Sequence, residues 1–203
     1  MPNAIAINCT LKPSGSGPSS TDRLLAEVSA ALSARGVDVS ETIRIADHDV
    51  KTGVEADMGD GDAWPGIYAK ILAADILVFG TPIWLGHLSS IGQRVLERLD
   101  ALFSEIDELG RSPVTGRVAV VAVVGNEDGA HHVTSQLLQG LNDVGFTIPA
   151  GGSVYWVGEA MHKTDYIDLA ETPAKVAGAT ATLAANAAHL AGLLADARYP
   201  GTH

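Results

Sequence analysis

Val118-Ala119-Val120-Val121-Ala122-Val123-Val124 constrains this chain more than any other segment, because seven apolar residues in a row leave a strand no polar face. A strand of that kind belongs inside a parallel sheet covered on both sides. Ile76-Leu77-Val78-Phe79 and Ala4-Ile5-Ala6-Ile7 repeat the pattern, while Leu24, Leu25, Val28, Ala31 and Leu32 recur between them at helical spacing. Strands are expected near residues 4–9, 37–45, 75–81, 117–124 and 147–156. Helices are expected near 20–35, 62–73, 87–108, 130–144 and 173–196, several of them ending at Gly36, Gly110 or Gly145. Alternating strands and helices of this type predict an α/β fold, a three-layer doubly wound sheet of five parallel strands. With no internal repeat and no long linker, residues 1–203 read as one domain. The acidic, glycine-bearing stretch 46–62 is expected to be its least ordered part.

The first strand meets the first helix through Cys9-Thr10-Leu11-Lys12-Pro13-Ser14-Gly15-Ser16-Gly17-Pro18-Ser19-Ser20-Thr21. A helix starting near Ser19 to Thr21 presents unpaired N–H groups and a positive dipole end. Hydroxyls from Thr10, Ser19, Ser20 and Thr21, with the Lys12 charge, would complete an anion site. The competing reading is an ordinary helix cap on a surface loop. The P-loop is excluded because no Gly-Lys-Ser/Thr occurs, and the dinucleotide fingerprint lacks its third glycine. A hydroxyl-rich loop suits a terminal phosphate monoester above the first strand of a sheet ordered 2-1-3-4-5, which points to a mononucleotide such as FMN.

Ligands in such sheets sit beyond the carboxyl ends of the strands, so two further loops matter. Pro82-Ile83-Trp84-Leu85-Gly86 follows the third strand, and its indole is placed to stack on a flat ring or to fill the core. Gly125-Asn126-Glu127-Asp128-Gly129, followed by His131, comes after the fourth, where glycines let main-chain amides approach a ring closely.

Cys9 to Leu25, Thr81 to Leu99 and Gly125 to Gly145 together resemble the three binding loops of flavodoxin-fold NAD(P)H-dependent FMN reductases. The resemblance covers most of the chain, and Thr81-Pro82-Ile83-Trp84-Leu85-Gly86 followed by Ser89-Ser90 is its most specific element. It implies that Thr10, Lys12, Ser19, Ser20 and Thr21 hold the FMN phosphate. It also implies that Pro82 to Gly86 lie along the isoalloxazine and that Gly125 to Gly129 bind the pyrimidine edge. Many relatives have a shorter first loop, with Arg and Asn where this chain has Lys12 and Ser20. The implied activity is hydride transfer from NADPH or NADH to FMN and onward to a quinone, flavin or similar acceptor. Amides of Gly125 to Gly129, with His131, would stabilise charge developing on the pyrimidine side. No catalytic side chain is assigned, since the cofactor supplies the chemistry. Two alternatives are a flavodoxin-type electron carrier and a nonenzymatic nucleotide-binding α/β domain.

A formal charge of −11 without a basic cluster argues against nucleic acid and anionic membranes as partners. One cysteine fits a reduced, cytoplasmic setting, and the start Met1-Pro2-Asn3 lacks a secretory pattern. Asp57, Asp60 and Asp62 do not keep calcium-loop spacing, and the adjacent His131 and His132 point about 100° apart on a helix, so no metal site is expected. Leu88, Ile91, Val95, Leu99, Leu102 and Ile106 form an apolar stripe that Leu96 and Phe103 widen, which predicts a homodimer or a larger assembly built from one. The alternative is a monomer whose C-terminal helix covers the surplus.

Overall fold

The computed structural model describes residues 1–160 and 162–201. Five parallel strands, β1 (Asn3–Asn8), β2 (Asp38–Arg44), β3 (Ile76–Trp84), β5 (Val118–Gly125) and β6 (Ser153–Val157), lie in the order β2-β1-β3-β5-β6. A two-residue strand, β4 (His87–Leu88), pairs antiparallel with the end of β3. Leaving that short strand aside, the order is the expected 2-1-3-4-5. The Val118–Val124 run sits at the sheet centre, registered with β3 from Ile76 opposite Val118 to Pro82 opposite Val124. None of its residues is more than 1% exposed, so both faces of the strand are indeed covered.

Helices cover the sheet unevenly. α1 (Ser20–Ser33) and α5 (Ala174–Asp196) share one face through Leu24, Leu25, Val28, Leu183, Ala184 and Ala187. The other face carries α2 (Trp64–Ala73), α3 (Ser90–Leu99) and α4 (Ala130–Asp143), packed through Ile67, Ile71, Val95, Leu99, Val133 and Leu137. Serine caps start two of these helices. The Ser19 hydroxyl accepts the Asp22 N–H of α1, and the Ser89 hydroxyl accepts the Gly92 N–H of α3 at 3.0 Å.

Three local expectations need correction. The helix expected over 87–108 is shorter, because His87 and Leu88 fold back on Trp84 and Ile83, and beyond Leu99 the chain tightens into a 3₁₀ turn at Asp100–Phe103. Farther on, the Asp107 carboxylate accepts the N–H groups of Leu109 and Arg111, which favours a turn over continued helix. The strand expected over 147–156 starts at Ser153. Thr147 only bridges Val118, and the chain then turns through Pro149 to Gly152, whose N–H reaches the Pro149 carbonyl.

The stretch 46–62 is tied down rather than loose. Arg98 of α3, with no exposed surface, donates to the carbonyls of Lys51 and Glu55 and pairs with Asp62 at 2.8 Å. Arg94 donates to the Val50 carbonyl. Burial opposes ionisation of Asp62, but N–H bonds from Met58, Trp64 and Lys51 and the Arg98 guanidinium outweigh it and bring the carboxyl down to about 2. The carboxylate that a calcium reading would need is thus consumed inside the protein.

Candidate functional site

The carboxyl ends of β1, β3 and β5 open into one cleft of about 140 Å³. Its first wall is the loop after β1. Thr10 and Ser19 are buried, Thr21 is 2% exposed, and Lys12 and Ser20 stand with them along the lining. The first intrahelical bond of α1 runs from Arg23 N–H to Ser19 O, so the amides of Ser20 and Thr21 precede any helical partner. Asp22 puts a carboxylate in this first turn, where it would repel an anion. Its charge is taken up by Arg44 and by the Asn8 side-chain amide. Lys12 Nζ donates to the Pro18 carbonyl at 3.0 Å, which keeps the ammonium beside the helix start.

The second wall is Pro82, Ile83 and Trp84, and Trp84 keeps 52% of its surface open. Thr81 and Ser89 brace this wall from beneath, because Ser89 Oγ donates to the Cys9 carbonyl at 2.6 Å and its N–H reaches the Thr81 hydroxyl. Trp84 and His87 pair across a two-residue turn, Leu85-Gly86, with φ of 51° and 77°. Two positive φ values are what a type I′ hairpin requires.

Gly125, Asn126 and Glu127 form the third wall. A side chain at Gly125 would sit 2.9 Å from Ile83, so glycine lets the second and third walls close together. Glu127 Oε1 accepts the Leu85 N–H at 3.1 Å, and Gly129 packs against Gly86 so tightly that an added Cβ would lie 2.6 Å from its Cα. The predicted residues Leu85, Gly86, Asp128, Gly129 and His131 stand outside the lining. Leu85 is 89% exposed at the turn, Gly86 and Gly129 face each other, Asp128 is exposed, and His131 Nε2 contacts the Tyr155 hydroxyl at 2.9 Å.

The sequence reading missed three lining residues, Leu11, Val124 and Asp165. Leu11 and Val124 adjoin predicted segments, whereas Asp165 comes from the connection between β6 and α5, where no motif marks it. Cys9 beneath the cleft has its thiol pushed far up by burial, so it is no nucleophile. A larger hollow of about 570 Å³ lies beside β2, where Arg44 pairs with Asp22, Lys70 pairs with Glu41 and the Asp47 carboxylate accepts the N–H and hydroxyl of Ser14.

Hydroxyls, a lysine and first-turn amides at one end, an indole wall and a glycine-bearing backbone wall are the chemical groups that a flavin mononucleotide calls for. The model of the NADPH-dependent FMN reductase family matches residues 2–162. The chain belongs to this family. FMN is therefore the cofactor, and NAD(P)H the donor, that the family implies. The chain is 31% identical to 8-demethyl-8-aminoriboflavin-5′-phosphate synthase of Streptomyces davaonensis, over 97% of its own length and 79% of that protein. Among solved structures it superposes on RosB, bound to the intermediate 8-demethyl-8-formylriboflavin-5′-phosphate, with a TM-score of 0.88 and 31% identity, covering 98% of this chain and 82% of the other.

It is also 41% identical to the divalent metal cation transporter MntH of Mycobacterium bovis over 81% of its own length. That match spans 24% of the transporter, so the chain covers about a quarter of that relative. Among the described residues, no helix is long and apolar enough to cross a membrane, and no group of three or more His, Cys, Asp or Glu is placed to hold a metal.

Proposed function

We propose that this chain is an FMN-dependent oxidoreductase of the cytoplasm, with its flavin in the cleft above β1, β3 and β5. Convergence of the three loops on one cleft carries this reading. When bound, FMN would supply the redox chemistry between NADPH or NADH and a quinone, flavin or similar acceptor. The chain binds and orients. Thr10, Lys12, Ser19, Ser20, Thr21 and the start of α1 hold the phosphate. Pro82, Ile83 and Trp84 form the platform for the ring, and Gly125, Asn126 and Glu127 meet its polar edge. The protein acts as a homodimer, because Phe103 and Ile106 remain more than half exposed and α5 lies on the opposite face of the sheet.

Purified protein titrated with FMN and riboflavin, then assayed for NADPH and NADH oxidation with ferricyanide or a quinone, tests this directly. Tight FMN binding, far weaker riboflavin binding and steady turnover are expected. At a hundred times its dissociation constant, FMN should stabilise the fold by about 2.7 kcal/mol. Equal shifts from both flavins would remove the phosphate assignment, and flavin binding without turnover would favour an electron carrier.

The likeness to the aminoriboflavin phosphate synthase along nearly the whole chain favours a second reading, in which a riboflavin phosphate is the substrate in the same cleft. Mass spectrometry of the flavin after turnover separates the two. An unaltered FMN mass supports the cofactor role.

A further inference from the structure

Asp165 lies outside the three-loop plan, yet it lines the cleft beside Asn126. The segment that carries it is strapped onto α1, the helix whose start forms the phosphate wall. Arg23 Nη1 donates to the carbonyls of Tyr166 at 2.8 Å and Leu169 at 2.6 Å, and the Ser20 hydroxyl accepts the Ile167 N–H at 3.2 Å. Tyr166 is fully buried with its hydroxyl on Glu27. Asp165 heads a 3₁₀ turn in which its N–H donates to Asp168 Oδ2 at 3.3 Å and its carbonyl accepts the Asp168 N–H at 3.0 Å, which fixes its backbone. The carboxylate is held in register with the helix start.

Its partner in the cleft is an amide. Asn126 Nδ2 donates to Asp165 Oδ1 at 2.9 Å. A primary amide can present either end to a neighbour, but an ionised carboxylate only accepts, so this bond decides which end is which. The nitrogen is committed to Asp165. The carbonyl oxygen Oδ1 accepts no hydrogen bond among the described residues, so it is the end this lining side chain has left to offer a ligand. An isoalloxazine presents one donor on its pyrimidine edge, N3–H, between two carbonyl oxygens.

We propose that Asp165 is a positioning residue that fixes the Asn126 amide so that the cleft selects ring edges carrying an N–H donor between two carbonyls. The inference rests on the FMN reading above. Without Asp165 the amide is free to turn, and the choice between an acceptor and a donor at that edge is lost. Selectivity should therefore collapse more than affinity does.

Binding of FMN and of 3-methyl-FMN, in which the N3 hydrogen is replaced by methyl, is measured by flavin fluorescence for wild type, Asp165→Ala, Asn126→Ala and the double variant, with melting temperatures alongside. Wild type should prefer FMN by about tenfold or more, as loss of one well-placed hydrogen bond at a partly buried site implies. In Asp165→Ala that preference should fall toward unity. The Asn126→Ala and double variants should match it, because the two side chains act as a unit. Should Asp165→Ala fail to fold, Asp165→Asn, which keeps the shape but offers both donor and acceptor, is expected to lower the preference as well.

A folded Asp165 variant that keeps the wild-type preference overturns the proposal, as does equal weakening of both flavins in Asp165→Ala. If wild type binds FMN while the preference does not move, this inference fails and the FMN reading stands. If wild type takes up no flavin, both fall.

Discussion

At the residue scale, two positions in the Trp84 hairpin and the loop after β5 carry conformations that their neighbours impose. Leu85 has a φ of 51°, a left-handed value that costs an L-residue with a Cβ roughly 1–2 kcal/mol. Its bond to Glu127 and the type I′ turn hold it there. Leu85→Asn is expected to stabilise the protein by about 1 kcal/mol in urea unfolding, since asparagine is at home at that turn position. The exchange should also weaken any pairing that uses the exposed leucine. Gly129 makes the opposite case. With φ of 120° and the Gly86 backbone against its open side, Gly129→Ala should cost on the order of 1–3 kcal/mol and weaken FMN binding, because Gly86 must move away. Unchanged FMN affinity in Gly129→Ala would mean that the two loops move without disturbing the flavin. Gly129 was legible as a close-approach residue, but what it approaches was not, since it is spent on Gly86 across 43 residues of chain.

At the element scale, the buried Asp62–Arg98 pair joins α3 to the 46–62 segment. Removing one member leaves the other charge buried and unpaired, which costs about 3–5 kcal/mol. Arg98→Met should therefore lower stability by that order and open residues 48–63 to limited proteolysis before the rest of the chain is cut. Acid acts on the same link. The Asp62 carboxyl titrates near 2 in the folded protein, below its unfolded value, so its contribution is complete above the ordinary carboxylate range and is lost as pH falls through about 4 toward 2. Asp62→Asn should flatten that part of the stability profile in urea melts between those pH values. An unaltered acid limb would show that other carboxylates govern it. Composition made this segment look loose because acidic and glycine residues dominate it. A single arginine far along the chain reverses that, and no local pattern announces such a partner.

At the scale of the whole molecule, the two sheet faces are covered by separate sets of helices, so α5 does not shield the apolar residues beyond α3. Phe103 and Ile106 stay exposed at 56% and 58%. A homodimer is expected from this, and light scattering at micromolar concentration should give twice the chain mass of 21.0 kDa. A monomer with full NAD(P)H oxidation activity would show that the dimer is not needed. Phe103→Ser and Ile106→Ser together should shift the mass toward one chain while FMN affinity is retained, since neither residue lines the cleft.

The sequence by itself determined the layers and the three loops at the carboxyl ends of the strands. The order of the strands was read from the phosphate loop and the family resemblance, because alternation alone suits more than one doubly wound order. Apolar runs and helical spacing are local, and the layered parallel architecture follows from them by rules that hold for any chain. Most of the cleft was legible for the same reason, because Thr10, Lys12, Ser19 and Asn126 stand in loops whose place the alternation fixes, although Pro82 and Trp84, expected in a loop, continue β3. Only the tertiary structure decided the hairpin at Trp84, the anchoring of residues 46–62 on Arg98 and the arrival of Asp165 beside Asn126. Each of these depends on a hydrogen bond or ion pair between side chains and backbone brought together by the fold. Such contacts leave no periodicity in the residues that make them, so they become visible only once the chain has closed on itself.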